Sequence, residues 1–438
     1  MNLTRNQIII IGIGVLIVIF FVLLFIGVIP GLKTGGGNLG PSAGNQLQLN
    51  IWGVVDGGDF NDINLVVDEY SKINKGVSVS YRQFDDMADY EKTLVNALAT
   101  GQAPDIFMFH NTWLPKHYDK VAPFPETVFT LSQLQQLFPK VVEQDFVSGG
   151  KVCALPLYID TLALIYNKDV FDAKTITTPP VTWSDFQSLV PRLRQLNVLN
   201  QVSKAAAAIG GSEKSVHAAS DMISLLMMQF GNQMTLQQGK IMFGPEALTA
   251  FNFYLQFANP SGAYYTWNND LTYSLNSFSQ GQTAIIFDYA SQLPLIKEKN
   301  PYLDIGISPM PQTADTTKVQ PVNFANYWGL AVSGQSQKQT YAWNFTLFVT
   351  ANPDASNIFL QSAKKPPALR ALIEKYKNDP TMGVFAKQAL TARSWSQPDN
   401  NAVKQIFSNM IESVLEGRLA SESALQKTQN EISALLKK

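Results

Sequence analysis

The sequence predicts an α/β body carried behind an N-terminal membrane-spanning helix. Three observations predict it: an uninterrupted apolar run near the start, short apolar strands alternating with helical periods after it, and a composition fit for a large core. With 438 residues, 46% hydrophobic and 15% charged, the chain buries enough surface to divide into two or three lobes. A formal net charge of -1 leaves no basic excess to hold a phosphate backbone, so nucleic acid is not an expected partner. The one cysteine, Cys153, has no partner for an intramolecular disulfide.

The apolar run is IIIIGIGVLIVIFFVLLFIGVI at 8–29, without a charge or a strongly polar side chain. About 22 residues of helix cross roughly 30 Å of hydrocarbon. A cleavable signal has an apolar region of about 7 to 15 residues and a small-x-small site. This run is longer and ends in VIPG. Cleavage stays open as the alternative to an anchor. Arg5 before the run and Lys33 after it balance, and the amino terminus tips the orientation toward residues 1–7 in the cytoplasm and the body outside. Residues 30–46 are Gly-rich and read as a flexible linker with a reach of about 20 to 25 Å.

The body opens with LQLNIWGVVDGG, an alternating strand ending in glycine, followed by a helical period at Ile63, Val66, Val67 and Tyr70. VSVSYRQF alternates again, ADYEKTLVNALATG is helical and stops at Gly101, and APDIFMFH is a buried strand. The order β-α-β-α-β implies a parallel sheet whose ligands sit outside the carboxyl ends of the strands. Asp56, His110, Asn111 and Trp113 stand at those ends. From Tyr158 a second α/β unit mixes helices over 183–196, 220–230 and 245–257 with the strands AAAAIG and TAIIFDY. Strand-like LDIGISPMP and YWGLAVSG follow, then a helix at 339–349. The chain closes with Val403, Ile406, Phe407, Met410, Ile411, Val414 and Leu415, spaced by three and four up to Gly417, and the period resumes in SESALQKTQNEISALL.

Motifs with a strong mechanical signature are absent: there is no HExxH, no GxSxG, no P-loop and no complete GxGxxG. His110, His117 and His217 lack the spacing of helical metal ligands, so neither a metal nor a cofactor is expected. DGGDFND at 56–62 does not place oxygens as a calcium loop does and reads as a solvated turn. Cys153, between Val152 and Ala154, reads as a small buried hydrophobe rather than a thiolate nucleophile. Asp160 differs, because an apolar strand holds a lone carboxylate only to cap, to pair or to meet a ligand. Ligand contact is the reading favoured for it over structural pairing. Aromatics in polar company, namely Trp113, Tyr264, Tyr265, Trp267, Trp328 and Trp395, suit a carbohydrate, whose ring faces stack while its hydroxyls need polar acceptors.

The stretch GKVCALPLYIDTLALIYNKDVF followed by PPVTWSDF resembles the family 1 extracellular solute-binding proteins of ABC importers, the group that contains maltodextrin-binding protein. IW…D near the start, ATGQAPDIFMF, FSQGQTAIIF, YWGLAVS and EGRLASESALQKTQNEI fall in the same order, so the resemblance covers nearly all of the chain after the linker. It implies a two-lobed, periplasmic-binding-protein-like clamp with a hinge. Lobe 1 is expected at 47–157 with a returning segment at about 291–338, and lobe 2 at 158–290 with a return at about 339–438. Asp56 and Asp160 fall where maltodextrin binders hold sugar hydroxyls, Phe109, His110 and Asn111 at the lip of the cleft, and Tyr158 at the hinge crossing. The tryptophan that the resemblance leads one to expect soon after FSQGQTAIIF is missing, with Asp288 and Tyr289 nearby.

The expected function is therefore a membrane-tethered sugar receptor, monomeric and without a catalytic step, serving permease subunits driven by a cytoplasmic ATPase. The alternatives are a polyamine or other small cation held by Asp56, Asp160 and Asp288, a surface-anchored glycoside hydrolase, and a non-transport sensor or adhesin.

Overall fold

The computed structural model describes residues 47–55, 63–234, 236–237, 240–313 and 320–436. The predicted anchor, the linker and Asp56 lie outside the described residues. Among the described residues no helix is long and apolar enough to cross a membrane. The described residues within Leu49–Ile73 and Val79–Lys438 form one compact unit. In the described remainder, Leu47 N–H donates to Gly76 O at 3.0 Å and Val77 N–H to Asn74 O at 2.9 Å.

The predicted β-α-β-α-β order is present. Ile106–His110 is buried along its whole length, which explains its continuous apolar sequence, and it pairs in parallel with Leu47–Val54 through Ile51 and Ile106. Between them, Met87–Thr100 is capped by Asp86, whose carboxylate accepts from Asp89 N–H. The helix ends at Gly101 (φ 73°), a left-handed turn that a side chain would strain. The PD pair closes this sheet: Asp105 accepts from Asn50 N–H at 3.0 Å, Ser336 Oγ at 2.6 Å and Lys338 Nζ at 3.1 Å. The motif is a clamp on strand ends.

The first sheet runs in the order Val77–Phe84, Leu47–Val54, Ile106–His110, Trp328–Val332, Leu155–Pro156. Its late strand, Trp328–Val332, is antiparallel to both neighbours, with Trp328 opposite His110 and Gly329 opposite Pro156. A Cβ on Gly329 would lie 2.5 Å from Leu155 O and 2.7 Å from Phe146 Cε2, so the glycine of NYWG is required by close approach. The second sheet runs Ile305–Ser308, Ala163–Asn167, Thr283–Asp288, Val202–Ala207, Gln195–Leu196. Trp183–Leu193 covers it, started by a reciprocal Thr182–Asp185 capping box and packing Trp183 and Phe186 edge-on against neighbouring aromatics. Each of those buried rings contributes about 1.5 to 3 kcal/mol of burial. A third, small sheet of Ala392–Arg393, Asn323–Asn326 and Asp160–Thr161 joins the two.

The returning segments differ from the expected boundaries. Ile305–Ser308 belongs to the second sheet, paired with Ala163–Asn167, so the chain returns to the first sheet only at Trp328–Val332. Gln339–Ala351 stays there, with Phe345 and Phe348 against Tyr70 at 5.0 and 5.3 Å between ring centroids. Asn400–Leu415 and Ser421–Leu435 pack on second-lobe helices, and Phe385 and Trp395 join the second-lobe core. Hydrophobic pattern gives the type of a strand, not the sheet it joins. Cys153 is buried as expected, and burial pushes its thiol up to about 11, which keeps it protonated and unreactive.

Candidate functional site

A cavity of about 180 Å³ lies where the strand ends of both sheets meet the joining strands, and it is lined mainly by polar side chains. His110, the last residue of its strand, is edge-on to Trp328 at 4.9 Å. His110 Nδ1 lies 2.8 Å from Thr112 Oγ1, and its Nε2 lies 2.8 Å from Asn326 Oδ1, an amide oxygen that can only accept, so Nε2 carries a proton and donates. Asn326 Nδ2 donates onward to Asp221 Oδ2 at 3.1 Å, and Tyr289 Oη donates to the same oxygen at 2.6 Å. Among the described residues Asp221 Oδ1 has no hydrogen-bond partner. Two donors thus fix one oxygen of a carboxylate that lines the cavity and leave the other available. Burial raises the Asp221 carboxyl above its ordinary range, with Glu213 adding to the effect and Tyr289 opposing it.

Asp221 sits in the first turn of Ala219–Gln229, whose capping residue Ala218 is left-handed (φ 58°, ψ 29°). A side chain in that region costs roughly 1 to 2 kcal/mol, and such strain collects at functional sites. Around this helix start, Glu213 accepts from Ser220 N–H and Oγ and pairs with Lys404 at 3.2 Å. Burial pulls the Lys404 ammonium down, but Glu213, Asp221 and Asp288 outweigh it and the net shift is upward. His217 behaves alike: burial lowers it, and Asp288, 2.8 Å from Nδ1, more than offsets that. Gln397, 6% exposed, also lines the cavity, and its amide has no hydrogen-bond partner among the described residues.

Of the residues singled out in the sequence, His110, Asn111, Tyr289 and Trp328 line this cavity. The others stand elsewhere. Asp160, 1% exposed, gives Oδ1 to Thr161 and Ala290 N–H and Oδ2 to Ser291 N–H, at 2.9, 3.0 and 2.9 Å. It caps the turn that carries Tyr289, so its reading as a ligand contact gives way to a structural one. Asp288 is spent on His217 and on Tyr289 N–H. Trp267 and Trp395 are buried with their indole N–H groups on Ser215 and Ser224. Phe109 points away from His110, as strand alternation requires, and meets Phe146 and Trp113. Trp113 is buried behind Trp328, at right angles and 5.2 Å from it. Tyr158 is buried at the crossing with Lys365 Nζ 4.8 Å above its ring. Asn111 lines the cavity but is already engaged, its Nδ2 donating to Asp145 at 3.1 Å and its Oδ1 accepting from Tyr327 N–H at 3.3 Å.

The family profile described as bacterial extracellular solute-binding protein matches residues 66–384. The chain belongs to that family. It is a binding protein, not an enzyme. As a solute-binding protein it is similar to a maltotriose-binding protein of Pyrococcus abyssi, 22% identical over 395 residues that cover 88% of this chain and 82% of that one. Its fold matches a cyclo/maltodextrin-binding protein complexed with maltotetraose, with a TM-score of 0.71 at 20% identity, covering 91% of this chain and 98% of that one. It also matches an ABC substrate-binding protein of Listeria monocytogenes in complex with cycloalternan, with a TM-score of 0.73 at 17% identity, covering 90% of this chain and 100% of that one. At these identities the structural likeness establishes the two-lobed α/β solute-binding fold.

Proposed function

We propose that this solute-binding protein captures a sugar or oligosaccharide in the cavity around Asp221 and Trp328 and delivers it to the permease subunits of an ABC importer, held at the membrane by residues 8–29. The observation that carries the reading is the Asp221 carboxylate, oriented by Tyr289 and Asn326 and open to a cavity that the Trp328 indole also lines. A fixed acceptor beside an apolar ring face is the arrangement that a sugar hydroxyl and its ring require. The similarity to a maltotriose-binding protein and to a fold solved with maltotetraose supports it. The cationic-solute alternative draws on Glu213, Asp221 and Asp288; Lys404 and His217 supply positive charge in the same place and weaken that case.

The test is calorimetric binding of a sugar panel to the wild type and to Asp221→Asn. Asparagine still accepts from Tyr289 and Asn326 but loses the charge-assisted bond, worth about 1.5 to 3 kcal/mol. Affinity is expected to fall roughly 10- to 150-fold with the melting temperature unchanged. Equal affinity in wild type and variant would remove Asp221 from the site, and a cation binding in preference to every sugar, with strong salt dependence, would replace the sugar reading.

A further inference from the structure

We infer that the site is built for a solute of one or two sugar rings, and that the ion pair between Lys116 and Asp399 sets this limit. The inference rests on the sugar reading above and narrows it. Three independent features converge on a short ligand. The first is space: about 180 Å³ is well below the roughly 300 to 1,000 Å³ of sites for larger ligands. A cavity of that size suits a short ligand rather than an extended one.

The second is the stacking inventory. Of the seven tryptophans, all among the described residues, only Trp328 lines the cavity. Trp113, Trp267 and Trp395 are buried, the latter two with their indole N–H groups on serines. Trp183 donates to Gln229, Trp343 is packed 4.2 Å from Phe124, and Trp52 carries Arg82 over its ring. Trp328 is itself 3% exposed, with His110 and Trp113 edge-on against it, so the surface it offers serves a single sugar ring at most. A chain of three or four rings would find no second indole.

The third is the way the walls are joined. Lys116, in Leu114–His117, reaches Asp399 at 2.6 Å and Glu91 at 2.8 Å. Asp399 is the cap of Asn400–Leu415, and the next two residues, Asn400 and Asn401, are cavity wall. Asn401 Nδ2 also donates to Glu91 at 3.4 Å, so this pair of contacts ties first-lobe residues to the second-lobe wall. Both members of the ion pair are partly exposed, at 33% and 28%, so the tie lies at the surface, next in sequence to the cavity wall at Asn400. A longer oligosaccharide extending past Asn400 has to break it.

The experiment is titration calorimetry with glucose, mannose and galactose, with maltose, mannobiose and lactose, and with maltotriose and maltotetraose, on the full chain and on Asp399→Ser. Serine keeps the helix cap but is too short to reach Lys116. For the wild type, at least one mono- or disaccharide is expected to bind ten-fold or more tightly than either longer sugar. In the variant that ratio is expected to shrink several-fold, with thermal unfolding confirming an intact fold. Tighter binding of maltotriose or maltotetraose than of every shorter sugar overturns the inference while leaving the sugar reading in place. Binding of no sugar overturns both. An unchanged ratio in Asp399→Ser removes the ion pair as the cause of the limit.

Discussion

Replacing Asp160 by alanine tests whether the most conspicuous carboxylate of the sequence serves the ligand or the fold. In the structure its two oxygens accept three backbone N–H groups, from Thr161, Ala290 and Ser291, in a position 1% exposed to solvent. Alanine leaves all three donors buried and unpaired. At about 1 to 3 kcal/mol for each orphaned group, with some relaxation of the turn, the loss is about 4 kcal/mol. A body of roughly 390 residues has an unfolding entropy near 0.8 kcal/mol/K, so the melting temperature should drop by about 5 °C. Differential scanning calorimetry measures this, and calorimetric titration below the transition measures sugar affinity on the folded protein. The expected result is a clear loss of stability with affinity changed only a few-fold, through Tyr289 on the same turn. An unchanged melting temperature together with thirty-fold weaker binding would refute the structural assignment and return Asp160 to the ligand.

Two further perturbations probe the joint between the sheets. Asp145 accepts from Asn111 Nδ2, Tyr327 Oη and Ser394 Oγ, yet burial outweighs these donors and pushes its carboxyl up to about 7. The folded state keeps this proton while the unfolded chain releases it near pH 4, so the stability it provides is complete below that value and is lost as pH rises to 7. The loss is about 4 kcal/mol. In Asp145→Asn this loss should vanish, so urea unfolding at pH 4, 5.5 and 7 should show the variant gaining on the wild type as pH rises; parallel curves would show that Asp145 titrates normally. Gly329→Ala should destabilise by about 1 to 3 kcal/mol through its clash with Leu155 O and Phe146, read as a lowered urea midpoint at constant slope.

The local elements were legible because their causes are local. The apolar IFMF, the Thr182 capping box and Gly101 each declare a strand, a start and a stop within a few residues. What could not be read was pairing at a distance. Two of the three donors that occupy Asp160 lie some 130 residues away, so its lone charge looked free. Trp267 sits among polar neighbours in AYYTWNND but folds into the core, because Ser215 supplies the partner its N–H needs. Asp221 was missed for the opposite reason: in SDMISLLMMQ it has the ordinary place of an acid in a first helical turn. Its distinguishing feature is the convergence of Tyr289 and Asn326, from two other parts of the chain. His110 and Asn111 were found because they end a strand or follow it, where α/β sheets place their ligands, Trp328 as an aromatic in polar company, and Tyr289 through the resemblance, beside a missing tryptophan.

The position of Trp328–Val332 inside the first sheet also sets a timetable for folding. Ile106–His110 has this strand as a neighbour, and the ribosome makes it roughly 220 residues later. At about 5 to 20 residues per second, that is a wait of about 10 to 45 seconds. Throughout it, a mostly apolar strand has one edge without its native partner, a template for association with other chains. The nascent first lobe is therefore an aggregation hazard until the second lobe has been synthesised, and a chain cut after residue 320 should not yield a folded half.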